Sequence, residues 1–429
     1  MHKDLQNKEY LNWLDFLSHS EVMPNEWIRN YQIVELQDIV YTAYYKTTGY
    51  KNLYGECPEI QSLADIKNLP FLTRDMLRDN FESFSIALPE RYKTSTGGSS
   101  GIPISLYHTS KSFARELASK AHQYHRVGWR EGDRQLTMRG LVIDDETHTE
   151  YIKDYNELRC SSFHLVPKQM NVYYRKALVF HPAWLRCYPS SGYLFARWLL
   201  DNDLRLNLKG VLCASEKLYP FQKQTMSEAF NCHVFSHYGS YELASLAGFC
   251  EHSDTYHVLP QYGMVEILNK SGEQVKVGQI GEIVATSFIA DATPIIRYKT
   301  GDLAIYGGEK CPECGRENTI LLDIEGRRWE YIITKSGRKI SPAALNNHDD
   351  LYKYIWQFRY HQDRQGYITF YFIPKDNFKF SMMDTIFEKV KEKLGDDVVL
   401  SIEATKELPL SIRGKHGFLV QELDVCERL

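Results

Sequence analysis

Residues 94–103 read Thr-Ser-Thr-Gly-Gly-Ser-Ser-Gly-Ile-Pro, a run of hydroxyls and glycines in a chain otherwise rich in aromatics. Glycine lets consecutive backbone N–H groups turn inward, and Ser and Thr hydroxyls add donors or a magnesium ligand. Ser95, Thr96, Gly97, Gly98, Ser99, Ser100 and Gly101 can therefore wrap a polyphosphate. No Gly-Lys-Ser or Gly-Lys-Thr follows, so the run is not a Walker loop; taken alone, a surface loop explains it better. Four further segments carry polar chemistry: His237-Tyr238-Gly239-Ser240-Tyr241-Glu242, Arg297-Tyr298-Lys299-Thr300-Gly301-Asp302, Glu325-Gly326-Arg327-Arg328 and Pro409-Leu410-Ser411-Ile412-Arg413-Gly414-Lys415. Each is bland by itself, since Tyr-Gly, Thr-Gly-Asp and Gly-Lys are ordinary turn chemistry.

Cys311-Pro312-Glu313-Cys314-Gly315 is sharper. Two thiols three apart, with a glycine for the turn, have the shape of a zinc knuckle, and a closed site needs two more ligands. The nearest candidates are Cys250, His252 and His257; free thiols in a turn are the plain alternative.

The surrounding pattern says what must hold these residues. Leu11, Trp13, Leu14 and Phe16 recur near helical spacing, as do residues 33–45, and Thr73 is placed to cap a helix. Residues 110–125 suit a helix and 135–143 a strand. Residues 207–238 alternate strand (208–213), helix (220–230) and strand (233–237), which predicts α/β layers with a largely parallel sheet. From Gly263 the pattern becomes alternating strands at 264–268 and 281–286, with a turn region at 269–272. A boundary falls near 325–329. Beyond it, residues 331–334 and 339–340 flank a Ser336-Gly337 turn, Ser341-Pro342 opens a short helix, 356–361 and 367–373 form a hairpin, 382–394 a helix and 398–403 a strand. The expected fold class is α/β plus β, a large N-terminal domain of layered sheets over residues 1–326 with a small α+β lid over 327–429.

Composition bounds the partners. The chain has 429 residues, 43% apolar and 25% charged, a globular balance long enough for two or three domains. Fifty-one Lys and Arg against 55 Asp and Glu leave a charge of -4, which argues against nucleic-acid binding by bulk electrostatics. The 29 tyrosines and 7 tryptophans without a basic stripe read as core and pocket lining. No apolar run reaches a membrane span, and nine cysteines without an apolar leader read as reduced thiols in a cytoplasmic protein. Cysteines 57, 160, 187, 213, 232 and 426 read as buried or incidental, and His108, His122 and His125 as surface residues of one helix. His237, directly before Tyr238, is a candidate to face a ligand pocket.

In this order and spacing the five segments resemble the adenylate-forming superfamily of acyl- and aryl-CoA synthetases, adenylation domains and luciferases. The match runs from Pro70-Phe71-Leu72-Thr73 to Lys415. Residues 95–101, Phe113-Ala114-Arg115-Glu116, Ala214-Ser215-Glu216-Lys217-Leu218 and the tail after Lys415 point to the phenylacetate-CoA ligase branch. Within it they point to the CapK-like proteins, often associated with capsular polysaccharide biosynthesis. The resemblance implies ATP-dependent activation of a carboxylic acid to an acyl-adenylate, with acyl transfer to a thiol, coenzyme A. Residues 95–101 would hold the β- and γ-phosphates, and Glu242 a magnesium ion. Ala214, Ser215, Glu216, Tyr238 and Gly239 would frame the adenine. Asp302 would accept the ribose hydroxyls, with Arg327 beside them at the hinge, and Lys415 would reach the α-phosphate from the lid. The resemblance also selects Cys250 and His257 to complete a structural zinc site with Cys311 and Cys314, His252 being the reserve.

Two positions depart from the pattern. Trp329, followed by Glu330, stands where most relatives carry the acidic hinge residue, and Ile104 where many carry a lysine. Two other readings follow: a stand-alone adenylating enzyme whose acceptor is an amine, carrier protein or sugar, and a non-catalytic nucleotide- or zinc-binding scaffold. Retention of both Glu242 and Lys415 argues against the scaffold. The acid, the pathway and the oligomeric state are not written in these motifs.

Overall fold

Apolar spacing makes the N-terminal segment helical. The computed structural model describes residues 7–95, 104–327, 331–340, 354–409, 415 and 417–423. Helix α1 (Lys8–Ser20) starts where the Asn7 side chain accepts from Glu9 N, and buries Tyr10, Trp13 and Leu17 on one stripe. Helix α2 (Asn25–Lys46) buries Leu36, Ile39, Val40 and Ala43. After α3 (Thr48–Tyr54), helix α4 (Arg74–Asn80) is capped by Thr73, as its sequence predicts. Helix α5 (Ser110–Arg126) is capped by Thr109 and packs on α1, with Trp13 Nε1 donating to Ser119 Oγ at 2.9 Å.

Strands β1 (Tyr92–Ser95) and β2 (Ser105–His108) pair antiparallel from Tyr92↔His108 to Ser95↔Ser105. They bracket residues 96–103, which lie outside the described residues. Next comes a twelve-stranded sheet. Its parallel half contains β3 (Gln135–Arg139), β5 (Glu157–Ser161), β6 (Trp184–Cys187), β7 (Gly210–Ala214) and β8 (His233–Gly239), with β4 (Thr149–Ile152) as an antiparallel edge. Helices α6 (Pro167–Phe180), α7 (Pro189–Asp201) and α8 (Pro220–Phe230) make the crossovers, each opened by a proline whose missing N–H costs nothing there. The other half is antiparallel: β9 (Leu246–Phe249), β10 (Tyr256–Val258), β11 (Gly263–Leu268), β12 (Ile280–Ser287), β13 (Tyr298–Gly308) and β14 (Ile320–Arg327). The expected parallel sheet is therefore one half of a mixed sheet. The strand expected over 135–143 stops at Arg139, where Leu141 N folds back to the Arg139 carbonyl at 2.7 Å.

Strand register sorts the parallel half into two unlike faces. Leu136, Leu185, Cys187, Val211, Cys213 and Val234 form an apolar core with the crossover helices. Gln135, Thr137, Arg139 and Arg186 alternate onto the opposite face, polar where a parallel sheet is ordinarily apolar on both sides.

The C-terminal region has its own core. Two short strands, β15 (Ile332–Ile333) and β16 (Lys339–Ile340), form the expected hairpin. Strands β17 (Ile355–Arg364), β18 (Tyr367–Pro374), β19 (Val399–Ala404) and β20 (Leu419–Gln421) form a second sheet in the order β19-β18-β17-β20. Helix α9 (Met383–Leu394) buries Ile386, Val390 and Leu394 against it. The helix expected at Ser341-Pro342 lies outside the described residues. Lys375 Nζ meets Asp201 of α7 at 2.6 Å, and Phe418 packs edge-on to Tyr219 with ring centroids 5.6 Å apart. These contacts hold the small unit against the end of α7 and the start of α8.

Candidate active site and metal cluster

Strand ends bring four of the five polar segments together. Ala214 ends β7, and Ser215 and Glu216 follow it; Tyr238 and Gly239 end the adjacent β8. Backbone leaving the carboxyl ends of neighbouring parallel strands forms a crevice suited to ligands. Ser215 sits at φ +72, a left-handed conformation that a non-glycine residue keeps only when its surroundings hold it there. Glu216 is one such restraint, accepting from Ser190 N at 2.9 Å and Ser190 Oγ at 3.1 Å. Lys217 is another, pairing with Asp323 at 2.8 Å and Glu325 at 3.2 Å.

Tyr238 Oη donates to Asp302 Oδ2 at 2.7 Å, so the Tyr-Gly and Thr-Gly-Asp segments, 64 residues apart, share one hydrogen bond. Asp302 stands opposite Arg327 in the β13–β14 register. Gly301 at φ +77 and Gly326 at φ +87 flank this pair, and only glycine adopts such angles freely. Glu242 is 8% exposed; Arg74 Nη1 lies 3.7 Å from its Oε1, and Tyr298 Oη 3.5 Å away. The neighbouring Tyr241 accepts from Thr94 at 2.5 Å, which sets the start of the Ser/Thr/Gly loop beside Glu242. Ser95 ends β1; Thr96, Gly97, Gly98, Ser99, Ser100 and Gly101 lie outside the described residues, as does Trp329. Ile104 is wholly buried in the main core, so a lysine there would be stranded in apolar surroundings.

Lys415 comes from the C-terminal unit. Its Nζ donates to the Ser215 carbonyl at 2.8 Å and lies 5.5 Å from the centroid of the Tyr188 ring. A cation from residue 415 thus reaches the loop that follows β7.

The second site is the cysteine–histidine cluster. Cys250, His257, Cys311 and Cys314 bring their donor atoms within 4.8 Å of one another. The Cys314 Sγ–His257 Nε2 distance is 3.9 Å, within a few tenths of an ångström of the S···N edge of about 3.6 Å in a tetrahedral zinc site with Zn–S near 2.3 Å and Zn–N near 2.05 Å. Burial, then Arg126 and Arg316, hold His257 down to about 4, which keeps the imidazole neutral with a lone pair available. The donor set fits a closed structural zinc. His252, the reserve candidate, is exposed and turned outward; only its backbone N–H reaches Cys250 Sγ, at 3.4 Å.

Around the cluster runs an ion network that the sequence reading missed. Glu21, just past α1, pairs with Arg126 of α5 and with Arg316 beside the knuckle, each at 2.8 Å, while Glu251 pairs with Arg316 at 2.7 Å. Burial pushes the Glu21 carboxyl up, but His122 and the two arginines outweigh it and hold it at about 2. No local motif marks Glu21, Arg126 or Arg316; they meet only because the helices do. His122 is therefore 4% exposed, not a surface residue, and His108 ends β2, 7% exposed between Tyr92 and Tyr241. His125 is half-buried against Glu131. Cys160, Cys187 and Cys213 are buried and Cys57 and Cys232 half-buried; Cys426 lies outside the described residues.

Known proteins bear on the fold and the relationship. No protein-family model matches the chain. It is 23% identical over 380 residues to Protein CapK of Staphylococcus aureus, covering 84% of this chain and 81% of that one. Over 342 residues it is 22% identical to the phenylacetate-coenzyme A ligase of Thermus thermophilus, covering 76% of each. A crystal structure of 2-hydroxyisobutyryl-CoA ligase in its postadenylation state, with 2-HIB-AMP, superposes with a TM-score of 0.75 at 17% identity, covering 94% of this chain and 91% of that one. The same ligase in its thioesterification state, with 2-HIB-AMP and CoA, superposes with a TM-score of 0.63. The chain carries the fold of the adenylate-forming acyl-CoA ligases and is a distant relative of CapK and the phenylacetate-coenzyme A ligases.

Proposed function

We propose that this protein activates a carboxylic acid with ATP to an acyl-adenylate and then transfers the acyl group to a thiol, coenzyme A. The observation that carries this reading is Lys415, brought by the C-terminal unit onto the Ser215 carbonyl beside the Tyr238–Asp302 bond. The relationship to the phenylacetate-coenzyme A ligase and the fold shared with 2-hydroxyisobutyryl-CoA ligase support it.

In this reading one carboxylate oxygen of the acid attacks the α-phosphorus, and the bond to pyrophosphate breaks. Negative charge shifts onto the leaving group, so the site must hold a polyanion and neutralise charge as it moves. Residues 95–101 supply N–H and hydroxyl donors to the β- and γ-phosphates. Glu242 offers a hard oxygen ligand beside that loop, as magnesium prefers. Ala214, Ser215, Glu216, Tyr238 and Gly239 frame the adenine. Asp302, already oriented by Tyr238, accepts the ribose hydroxyls, with Arg327 opposite. Lys415 acts as a point charge on the α-phosphate and acyl oxygens. Attack of the thiol on the acyl carbon then expels AMP. Residues 1–326 form the nucleotide-binding domain and 327–429 a lid that swings about Arg327 at the end of β14, and zinc in the Cys250–His257–Cys311–Cys314 site has a structural task. The site takes one ATP and one small acid, with no nucleic acid.

Acid-dependent ATP–pyrophosphate exchange over a panel of aryl, fatty and amino acids tests the first step, and thioester mass after adding coenzyme A tests the second. Exchange without thioester would leave a stand-alone adenylating enzyme. Silence across the panel with ATP still bound would leave a scaffold.

A further inference from the structure

The polar face of the parallel half ends in charge that forms no ion pair with a carboxylate among the described residues. By register, Arg139 of β3, Arg186 of β6, Ala214 of β7 and His237 of β8 share this face, and α5 covers it. Arg139 lies with its guanidinium carbon 5.7 Å from the Tyr188 ring centroid, and Arg186 lies 5.9 Å from that of Tyr124. The Nε of each is buried without a hydrogen-bond partner. The one hydrogen bond from Arg186 reaches Gln135 Oε1 at 3.5 Å, and among the described residues neither arginine forms an ion pair with a carboxylate. Lys120, the third cation near His237, is occupied by Glu116 at 2.5 Å.

Half-buried guanidinium groups without counter-ions weaken a fold, and here two sit on adjacent strands. Their position gives them a use. Tyr188 carries Arg139 near its ring and Lys415 near the same ring, so the arginine face begins where the proposed catalytic lysine ends. Arg186 precedes Tyr188 by two residues, about 6–7 Å farther down the strand. His237, whose Nδ1 is 3.0 Å from Tyr124 Oη, is held neutral by burial and by these cations, and lines the same wall as a hydrogen-bonding group.

We propose that the acid this site takes carries a second anionic group, remote from the carboxylate that is activated, and that Arg139 and Arg186 bind it. This rests on the adenylation reading above and names its substrate class. A terminal carboxylate and a phosphate-type oxyanion both match guanidinium forks.

The test compares matched probes in pyrophosphate exchange: glutarate and adipate against valerate and hexanoate, 4-carboxyphenylacetate against phenylacetate, and 3-phosphonopropionate for the phosphate-type arm. The dianionic acids should exceed their monoanionic partners in kcat/KM by about tenfold or more, because a site built for a polar group rejects the analogue that lacks it. The phosphonate arm tells which oxyanion is preferred. Arg139→Gln and Arg186→Gln should each lower the dianion-to-monoanion ratio by about tenfold to 100-fold, a ratio that does not depend on the folded fraction. A preference for monoanions, or a ratio that neither substitution moves, overturns the proposal. Equal loss on both classes also overturns it, by assigning the arginines to the reacting carboxylate. Should no acid of either class support exchange, the adenylation reading falls, and calorimetric binding of 4-carboxyphenylacetate and phenylacetate decides the anion site separately. Tighter dianion binding that Arg139→Gln abolishes supports it, and equal binding overturns it.

Discussion

In the strand-end crevice, Thr94, Tyr238, Asp302 and Lys415 come from segments spread across more than three hundred residues, and one of them arrives from the connection between β19 and β20 of the separate small sheet. In the cysteine–histidine cluster, four donors from the β9–β10 hairpin and the connection between β13 and β14 lie within 4.8 Å, and the ion pairs of Arg316 close around them. The crevice gathers charged groups from distant segments, one of them from the C-terminal unit. The cluster leaves no donor position open. The first arrangement suits chemistry on a substrate that must enter and leave, and the second suits a fixed metal that ties the β9–β10 hairpin to the connection between β13 and β14.

Four substitutions or titrations test that contrast. Lys415→Ala should reduce acid-dependent exchange on the order of 1,000-fold, the scale of losing one charged group aimed at the transition state, while ATP affinity stays within severalfold. Unchanged exchange would remove the lysine from the crevice. Next in size, Cys311→Ser combined with Cys314→Ser should abolish a content of about one zinc per chain and lower stability by about 3 kcal/mol or more. A protein that holds no zinc before the change would break the cluster side of the contrast. Asp302→Asn should raise the ATP KM by about tenfold through weakened charge-assisted acceptance, and leave zinc content alone.

The smallest expected effect is a titration away from both sites. Burial pushes the Glu131 carboxyl up, yet bonds from His125 at 2.9 Å and Tyr10 at 2.5 Å outweigh it and hold it at about 2, below its ordinary 4.5. The unfolded chain therefore binds more protons between these values. The stabilisation is complete above 4.5 and is lost as the pH falls towards 2. Denaturation midpoints measured across that window should slope less steeply for Glu131→Gln; an unaltered slope would show that the pair between α1 and α5 contributes nothing.

Much of the architecture was legible in the chain because local physics sets it. The Thr73 cap, the α8 boundaries and the β17–β18 hairpin follow from capping residues, prolines at N1 and alternation, all of which act within a few residues. The same locality explains the errors. The reading placed His122 on a surface because its helix spacing does not show that Glu21 packs against it from α1. The strand expected from Gln135 to Ile143 is too long because the apolar Leu141-Val142-Ile143 continues its pattern past Gly140, the turn signal at which the structure ends it.

The sequence by itself determined the list of polar segments, their order, the Cys-x-x-Cys knuckle and the helix and strand boundaries set by caps and turns. The tertiary structure alone decided that Tyr238 meets Asp302 and that, among the described residues, two arginines on one sheet face form no ion pair with a carboxylate; it also brings to the knuckle Cys250 and His257, the pair that the resemblance selects. The reason is range. Caps and alternation are properties of neighbouring residues, whereas a shared hydrogen bond, a ligand shell or an unpaired charge is a property of which distant strands lie side by side.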